Sequence, residues 1–151
     1  MRTAVPGDKA KLVELMAEFY AEAGFELNRD HAGQAFASLL ADKTLGHVWL
    51  IEVDRKEVSY LVLTFAFSME YGGRSGVLED LFVHASFRGS GLGRAALVEL
   101  RAFCVRQGLR AVTVEVGRDN SAAHSVYRAA GFVASDRQLL TLELAPPAHV
   151  A

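Results

Sequence analysis

The chain has 151 residues, enough for one domain with a sizeable core and no need of metal or disulfide staples. Half of it (51%) is apolar, 23% is charged and the net charge is −2, which argues against a nucleic-acid binder that works by bulk charge. A single cysteine, Cys104, excludes an intramolecular disulfide and fits a reducing compartment.

The first 75 residues hold 8 basic and 11 acidic side chains, the remainder 8 basic and 7 acidic, and every basic residue of the second part is Arg. A part that must hold phosphates has this character. The opening Met1-Arg2-Thr3-Ala4-Val5-Pro6-Gly7-Asp8 contains no apolar run long enough for a signal peptide. No stretch approaches the ~20 apolar residues of a membrane-spanning helix. The expectation is a cytoplasmic protein that binds neither membrane nor nucleic acid.

Residues 2–5 read as a short strand, turned by Pro6-Gly7 into a helix that Asp8 can cap. Leu12, Leu15, Met16, Phe19 and Tyr20 recur at helical spacing, which predicts an amphipathic helix over 9–20. A second helix is predicted over 29–41, with Phe36, Leu39 and Leu40 inward. His47–Val53 and Val58–Phe67 are rich in branched and aromatic residues and read as a hairpin joined at Asp54-Arg55-Lys56. A loop over 69–76 contains Gly72-Gly73, and Val77–Val83 is the next strand.

A glycine-rich turn leads to a helix over 92–107, ended by Gly108 and Leu109 in the manner of a left-handed glycine cap. Ala111–Val116 reads as a strand. Asn120 or Asp119 caps a further helix that Gly131-Phe132 ends, and Leu139–Leu144 is predicted as a last strand. The order β, α, α, β, β, β, α, β, α, β describes an α/β layered fold, a central mixed sheet flanked by helices. One domain is expected over 1–145. Residues 146–151, which contain Pro146-Pro147, are expected as a tail that leaves the fold.

Arg88-Gly89-Ser90-Gly91-Leu92-Gly93 lies between a predicted strand and a predicted helix. Glycines let backbone amides approach a ligand, and the first turn of a helix offers free N–H groups at its positive end. Together they form an anion cradle, with Arg88 as a fixed charge. A dinucleotide loop needs G-x-G-x-x-G, but Arg94 stands where the last glycine belongs; a Walker loop needs Gly-Lys-Ser or Gly-Lys-Thr, which is absent. Taken alone, the turn is equally well a tight strand-to-helix connection.

A second motif follows about 27 residues later: Asn120-x-x-Ala123-x-x-x-Tyr127-x-x-x-Gly131-Phe132. The pattern Arg88-x-x-Gly91-x-Gly93 resembles the acetyl-CoA pyrophosphate loop of the GNAT superfamily of N-acetyltransferases, and the second motif resembles the same family's N-x-x-A-x-x-x-Y-x-x-x-G-F. Leu78-Glu79-Asp80-Leu81-Phe82-Val83 resembles the family's fourth strand, in particular that of the diamine acetyltransferases. The run from Tyr60 to Arg74 is similar to that of bacterial members. Ser59 departs from the glycine more usual before the tyrosine.

This resemblance implies the GNAT fold, acetyl-CoA as co-substrate without a metal, and acetyl transfer by direct attack in a ternary complex. It assigns the pyrophosphate to Arg88, Gly89, Ser90, Gly91, Leu92, Gly93 and Arg94. It assigns the pantetheine arm to the backbone of Leu81, Phe82 and Val83, with an N–H of that stretch, taken as Val83, facing the developing oxyanion. Asn120, Ser121 and Ala123 hold the arm from the other side. Tyr127 is the implied general acid, beside a reading as a core tyrosine.

An alkyl amine of pKa near 10.4 is neutral in only about one molecule in ~10³ at pH 7, so a base is useful. Glu79 is the candidate, directly or through water, against a plain surface salt bridge. Strand alternation sends its neighbour Asp80 to the opposite face, as an alternative base or a contact for a cationic substrate. Glu70, Tyr71, Glu115 and Glu22 are further substrate-side candidates. Glu14, Glu18 and Glu22 share a helix face, read first as a solvated face.

Cys104 reads as a small buried hydrophobe rather than an acyl carrier. None of His31, His47, His84, His124 and His149 stands at metal-ligand spacing from another ligand residue, so no metal is expected. The acceptor expected is a small, cationic amine. A protein or peptide amine and a non-catalytic acyl-CoA-binding module are the alternatives. Members of the family often dimerise through a sheet edge or a C-terminal strand, which leaves a homodimer open here.

Overall fold

The computed structural model describes residues 1–150. Its strands and helices follow in the order β1 (Arg2–Thr3), α1 (Lys9–Glu22), β2 (Glu26–Leu27), α2 (Arg29–Ala41), β3 (Gly46–Val53), β4 (Lys56–Ser68), β5 (Gly73–Val83), α3 (Leu92–Arg106), β6 (Val112–Val114), α4 (Ser121–Ala129) and β7 (His149–Val150). Five strands form the main sheet in the order β1-β3-β4-β5-β6, antiparallel throughout except for the parallel pair β5–β6. The α/β architecture read from the sequence is the one observed. No helix among the described residues is long and apolar enough to cross a membrane.

The sheet buries one face under α1 and α2 and the other under α3 and α4. Leu12, Leu15, Phe36, Leu40, Val48, Leu50, Tyr60, Val62 and Phe82 form the first layer. Trp49, Leu61, Leu63, Leu78, Ala96, Leu97, Leu100 and Cys104 form the second. The alternation along β4 explains the split: Tyr60 and Val62 face α1 and α2, while Leu61 and Leu63 face α3. Cys104 is buried in the second layer, and burial pushes its thiol up to about 11.

Three expectations are corrected. The loop expected over 69–76 is shorter, because β5 starts at Gly73 and pairs with Ser68 at the hairpin tip. Leu139–Leu144 forms no strand: no backbone among the described residues pairs with it, and Leu140, Leu142 and Leu144 are 88%, 82% and 89% exposed. The tail does not leave the fold. His149–Val150 pairs antiparallel with Glu26–Leu27, Asn28 N–H donates to the Ala148 carbonyl at 2.7 Å, and the His149 ring packs against Phe25 and Tyr20.

Candidate active site

The parallel pairing of β5 with β6 covers only Gly76–Leu78 against Val112–Val114. Beyond it β6 ends, while β5 runs on to Val83. Residues 79–83 therefore present an edge without a strand partner among the described residues. Peptide groups alternate in direction along a strand. His84 N–H donates to the Val58 carbonyl of β4 at 2.8 Å, and the Phe82 carbonyl accepts from the Ser59 hydroxyl at 2.5 Å. The peptide groups of Leu81 and Val83 consequently face the open edge. Those of Phe82 face β4, and its ring packs into the first core layer. Ser59, the departure from the related sequences, is fully buried and satisfied by that bond.

A β-bulge shapes the acidic part of β5. Val62 pairs with Asp80 and Leu63 with Leu78, so Glu79 is an extra residue. The bulge cancels one step of alternation. Thr64 donates to Glu79 Oε1 at 2.6 Å, and the Tyr60 hydroxyl donates to Asp80 Oδ2 at 2.9 Å. Thr64 and Tyr60 lie on the same face of β4, so both carboxylates point toward α1 and α2. The sequence expectation of opposite faces is corrected here; the bulge is the reason.

The two acids differ in environment. Glu79 is exposed, whereas burial pushes Asp80 up to about 6, with the Tyr60 hydroxyl lowering it and the Glu79 charge raising it. Tyr20, on α1, is pushed up to about 12 by burial and by the charges of Asp80 and Glu79. Tyr127 is pushed up to about 12 by burial and by Asp80, so Asp80 acts on phenols of both core layers. Tyr127 lies on α4, in edge contact with Phe132 at 5.4 Å. Asn120 caps α4 by accepting from Ala123 N–H at 3.1 Å. Ser121 begins that helix.

The glycine loop follows a single turn over Ala85–Phe87. Gly89 and Gly91 have φ of +73° and +85°, where side chains are strained, and a Cβ at either would meet nothing within 4 Å. Gly91 caps α3 without a side-chain acceptor, so the amides of Leu92, Gly93 and Arg94 lack intrahelical partners. Gly93 sits beside Val126 of α4, which brings the loop and the second motif together. The Ser90 hydroxyl donates to the Phe87 carbonyl at 2.5 Å and shapes the loop. An open, uncapped cradle of this kind fits a pyrophosphate.

Arg88 is engaged. Its Nε donates to the Val83 carbonyl at 2.8 Å and its Nη2 to Glu22 at 2.6 Å. Glu18, one turn earlier, stands 3.6 Å from His84. These links, and the roles of Tyr20, Tyr60 and Thr64, have no local signal in the sequence; they join residues far apart along the chain. Glu14 pairs instead with Lys11. Glu70 and Tyr71 lie at the β4–β5 tip, with Glu70 held by Arg137 at 2.7 Å. That tip is about 20 Å along β5 from Glu79, at 3.3 Å per residue. Glu115 is exposed, just past the end of β6.

Comparison with known proteins gives the same reading. Residues 10–132 match the model of the acetyltransferase (GNAT) family. The chain is 28% identical over 141 residues to an aminoglycoside N(6′)-acetyltransferase type 1 from Stenotrophomonas maltophilia, covering 91% of this chain and 88% of that protein. An integron cassette protein from the mobile metagenome of Cole Harbour Salt Marsh is 48% identical, with a TM-score of 0.89 over 97% of this chain and 91% of that one. The fold is shared with a predicted acetyltransferase from Clostridium acetobutylicum solved with acetyl-CoA, at 21% identity, a TM-score of 0.80, and 95% and 94% coverage. With the loop, the open strand edge and the second motif in place, the chain belongs to the GNAT family and is an acetyl-CoA-dependent N-acetyltransferase.

Proposed function

We propose that this enzyme acetylates a primary amine of a small cationic molecule by direct attack in a ternary complex. The observation that carries this reading is the bulge at Glu79, which gathers Glu79 and Asp80 on one face beside Tyr20 and Tyr60. Two carboxylates on the same side attract an ammonium group, and one of them then removes its proton. Asp80 is the better base. It is already shifted toward neutrality and held at a fixed angle by Tyr60, whereas Glu79 is exposed and bonded to Thr64. The relatedness to an aminoglycoside acetyltransferase agrees with a polyamine-like acceptor.

Acetyl-CoA supplies an activated thioester. The amides of residues 89–94 and Arg88 hold its pyrophosphate; Leu81 offers its outward peptide groups to the pantetheine arm and Val83 its N–H, the Val83 carbonyl being held by Arg88, with Asn120, Ser121 and Ala123 taken to hold the arm from the other side. Val83 N–H faces the same gap and is placed to stabilise negative charge. Tyr127 keeps its proton at every working pH and offers it to the departing sulfur. The proposal also takes the protein to be cytoplasmic and to act as a homodimer; exposed leucines over 139–144 support the second copy.

The experiment is release of CoA thiol from acetyl-CoA across polyamines, aminoglycosides, amino acids and short peptides at several pH values. Release with cationic small molecules, rising with pH, is the expected result. Release with peptides alone transfers the assignment to protein acetylation. Tight acetyl-CoA binding without release to any amine removes the enzymatic small-molecule reading.

A further inference from the structure

Arg88 carries the positive charge of the glycine loop, yet its guanidinium is committed to protein groups. Nε is fixed on the Val83 carbonyl at 2.8 Å, and Nη2 lies 2.6 Å from Glu22 Oε2. Phe82 stands below, its ring centroid 5.7 Å from the guanidinium carbon. The neighbouring pair, Glu18 with His84 at 3.6 Å, ties the same helix to the same segment one turn earlier. The last turn of α1, which Gly24 ends at φ +82°, is thus clasped onto the start of the loop. Glu22 occupies the charge that a pyrophosphate needs.

We propose that Glu22 is an internal stand-in for the cofactor's phosphate, displaced from Arg88 when the cofactor binds, and that the released carboxylate then attracts the ammonium of the acceptor. This deepens the reading of residues 88–94 as the pyrophosphate loop and rests on it. A pyrophosphate carries more negative charge than a carboxylate and forms bidentate bonds with a guanidinium, so it wins the competition. Once it does, Glu22 stands near an anion without its cation. Like charges repel at such distances unless a new cation enters between them. An amine bearing positive charge is the cation the reaction itself provides. The two substrates are then coupled: each favours the other through Glu22, and the coupling is reciprocal in binding free energy. Glu22 ends α1, the helix that covers the sheet face to which Asp80 points, so a multiply charged amine is the acceptor expected to engage both.

The clasp makes opposite demands on the two substrates, and this gives the test. Calorimetric titration with CoA compares wild type, Glu22→Gln and Arg88→Gln. Glu22→Gln is expected to bind CoA more tightly by roughly two- to fivefold, because an exposed ion pair of this size no longer competes. In steady state with a cationic acceptor, the same variant is expected to show a lower KM for acetyl-CoA and a higher KM for the amine. A side chain that merely stabilised α1 does not move the two constants in opposite directions. Unchanged or weaker CoA binding by Glu22→Gln overturns the proposal, as do two KM values that move together. Arg88→Gln separates the underlying reading: if it binds CoA as tightly as wild type, the pyrophosphate assignment of the loop fails, whereas weakened binding in Arg88→Gln with no gain in Glu22→Gln removes the clasp alone.

Discussion

Burial pushes the Asp80 carboxyl up to about 6, while the hydroxyl of Tyr60 lowers it and the charge of Glu79 raises it. An acid raised in this way binds its proton more tightly folded than unfolded. Its contribution to stability is intact below the ordinary value of 3.8 and is lost as pH rises through about 6. At neutral pH the ionised carboxylate is held against its solvation, at a cost of the order of 2–3 kcal/mol. Asp80→Asn is therefore expected to melt higher than wild type at pH 7.5 and to match it at pH 3.5, while turnover falls by roughly 10² or more. A base with this value gives a rate that climbs through about pH 6. In Tyr60→Phe the hydrogen bond that lowers it is gone, so the rising limb moves to higher pH. A limb that stays in place assigns the titration elsewhere. Tyr127 answers a different question, because burial and Asp80 hold it up near 12 and it never ionises in the working range. Tyr127→Phe is expected to lower turnover about tenfold or more and to leave CoA affinity nearly intact; unchanged turnover at saturating substrates removes Tyr127 from the proton path.

At the scale of elements, β4 is the ruler against which the site is set. Gly46 of β3 crosses it where a Cβ would run into the Leu63 carbonyl, with the Thr64 Cα only 3.0 Å away. Those atoms are backbone, held by the next strand, and have no room to give. Gly46→Ala is expected to destabilise the fold by roughly 2–3 kcal/mol, seen as an earlier midpoint in urea with an unchanged slope. A neutral outcome shows that β3 and β4 slide apart more easily than their register implies. The sequence revealed this hairpin, the helices and the glycine loop because each has a local signature: alternating apolar residues, a cap, or φ-permissive glycines at Gly89 and Gly91. It did not reveal the bulge. Glu79 is one residue too many only when Val62 is paired with Asp80 and Leu63 with Leu78, and no residue type announces that step. Alternation, applied without it, sends Glu79 and Asp80 to opposite faces. The Arg88–Glu22 bond was hidden for a related reason, since 66 residues separate its partners.

For the whole molecule, the segment between α4 and β7 is the part whose pattern and surroundings disagree. Leu140, Leu142 and Leu144 alternate with Thr141 and Glu143, as a half-buried strand would, yet they face solvent. Both ends of the segment are anchored in its own chain: Phe132 packs on Tyr127, Arg137 holds Glu70, and β7 pairs with β2. Among the described residues the main sheet meanwhile ends at β6, which pairs on one side only, with β5. An open sheet edge and an unpaired apolar strand sequence in one chain are complementary between two copies, and a two-fold arrangement satisfies both at once. Burying a leucine contributes about 1.5–3 kcal/mol before the cost of association, so burial of six of them, three from each copy, favours a dimer, and its concentration dependence is the quantity to measure. Light scattering after size exclusion is expected to give twice the chain mass for wild type. Leu142→Glu with Leu144→Glu is expected to elute as a monomer that still binds CoA, because both side chains are more than four-fifths exposed. A wild-type monomer at high micromolar concentration removes the dimer, and leaves the leucines to be covered by the chain's own β6. A variant that loses CoA binding together with the dimer places residues of the second copy at the cofactor site.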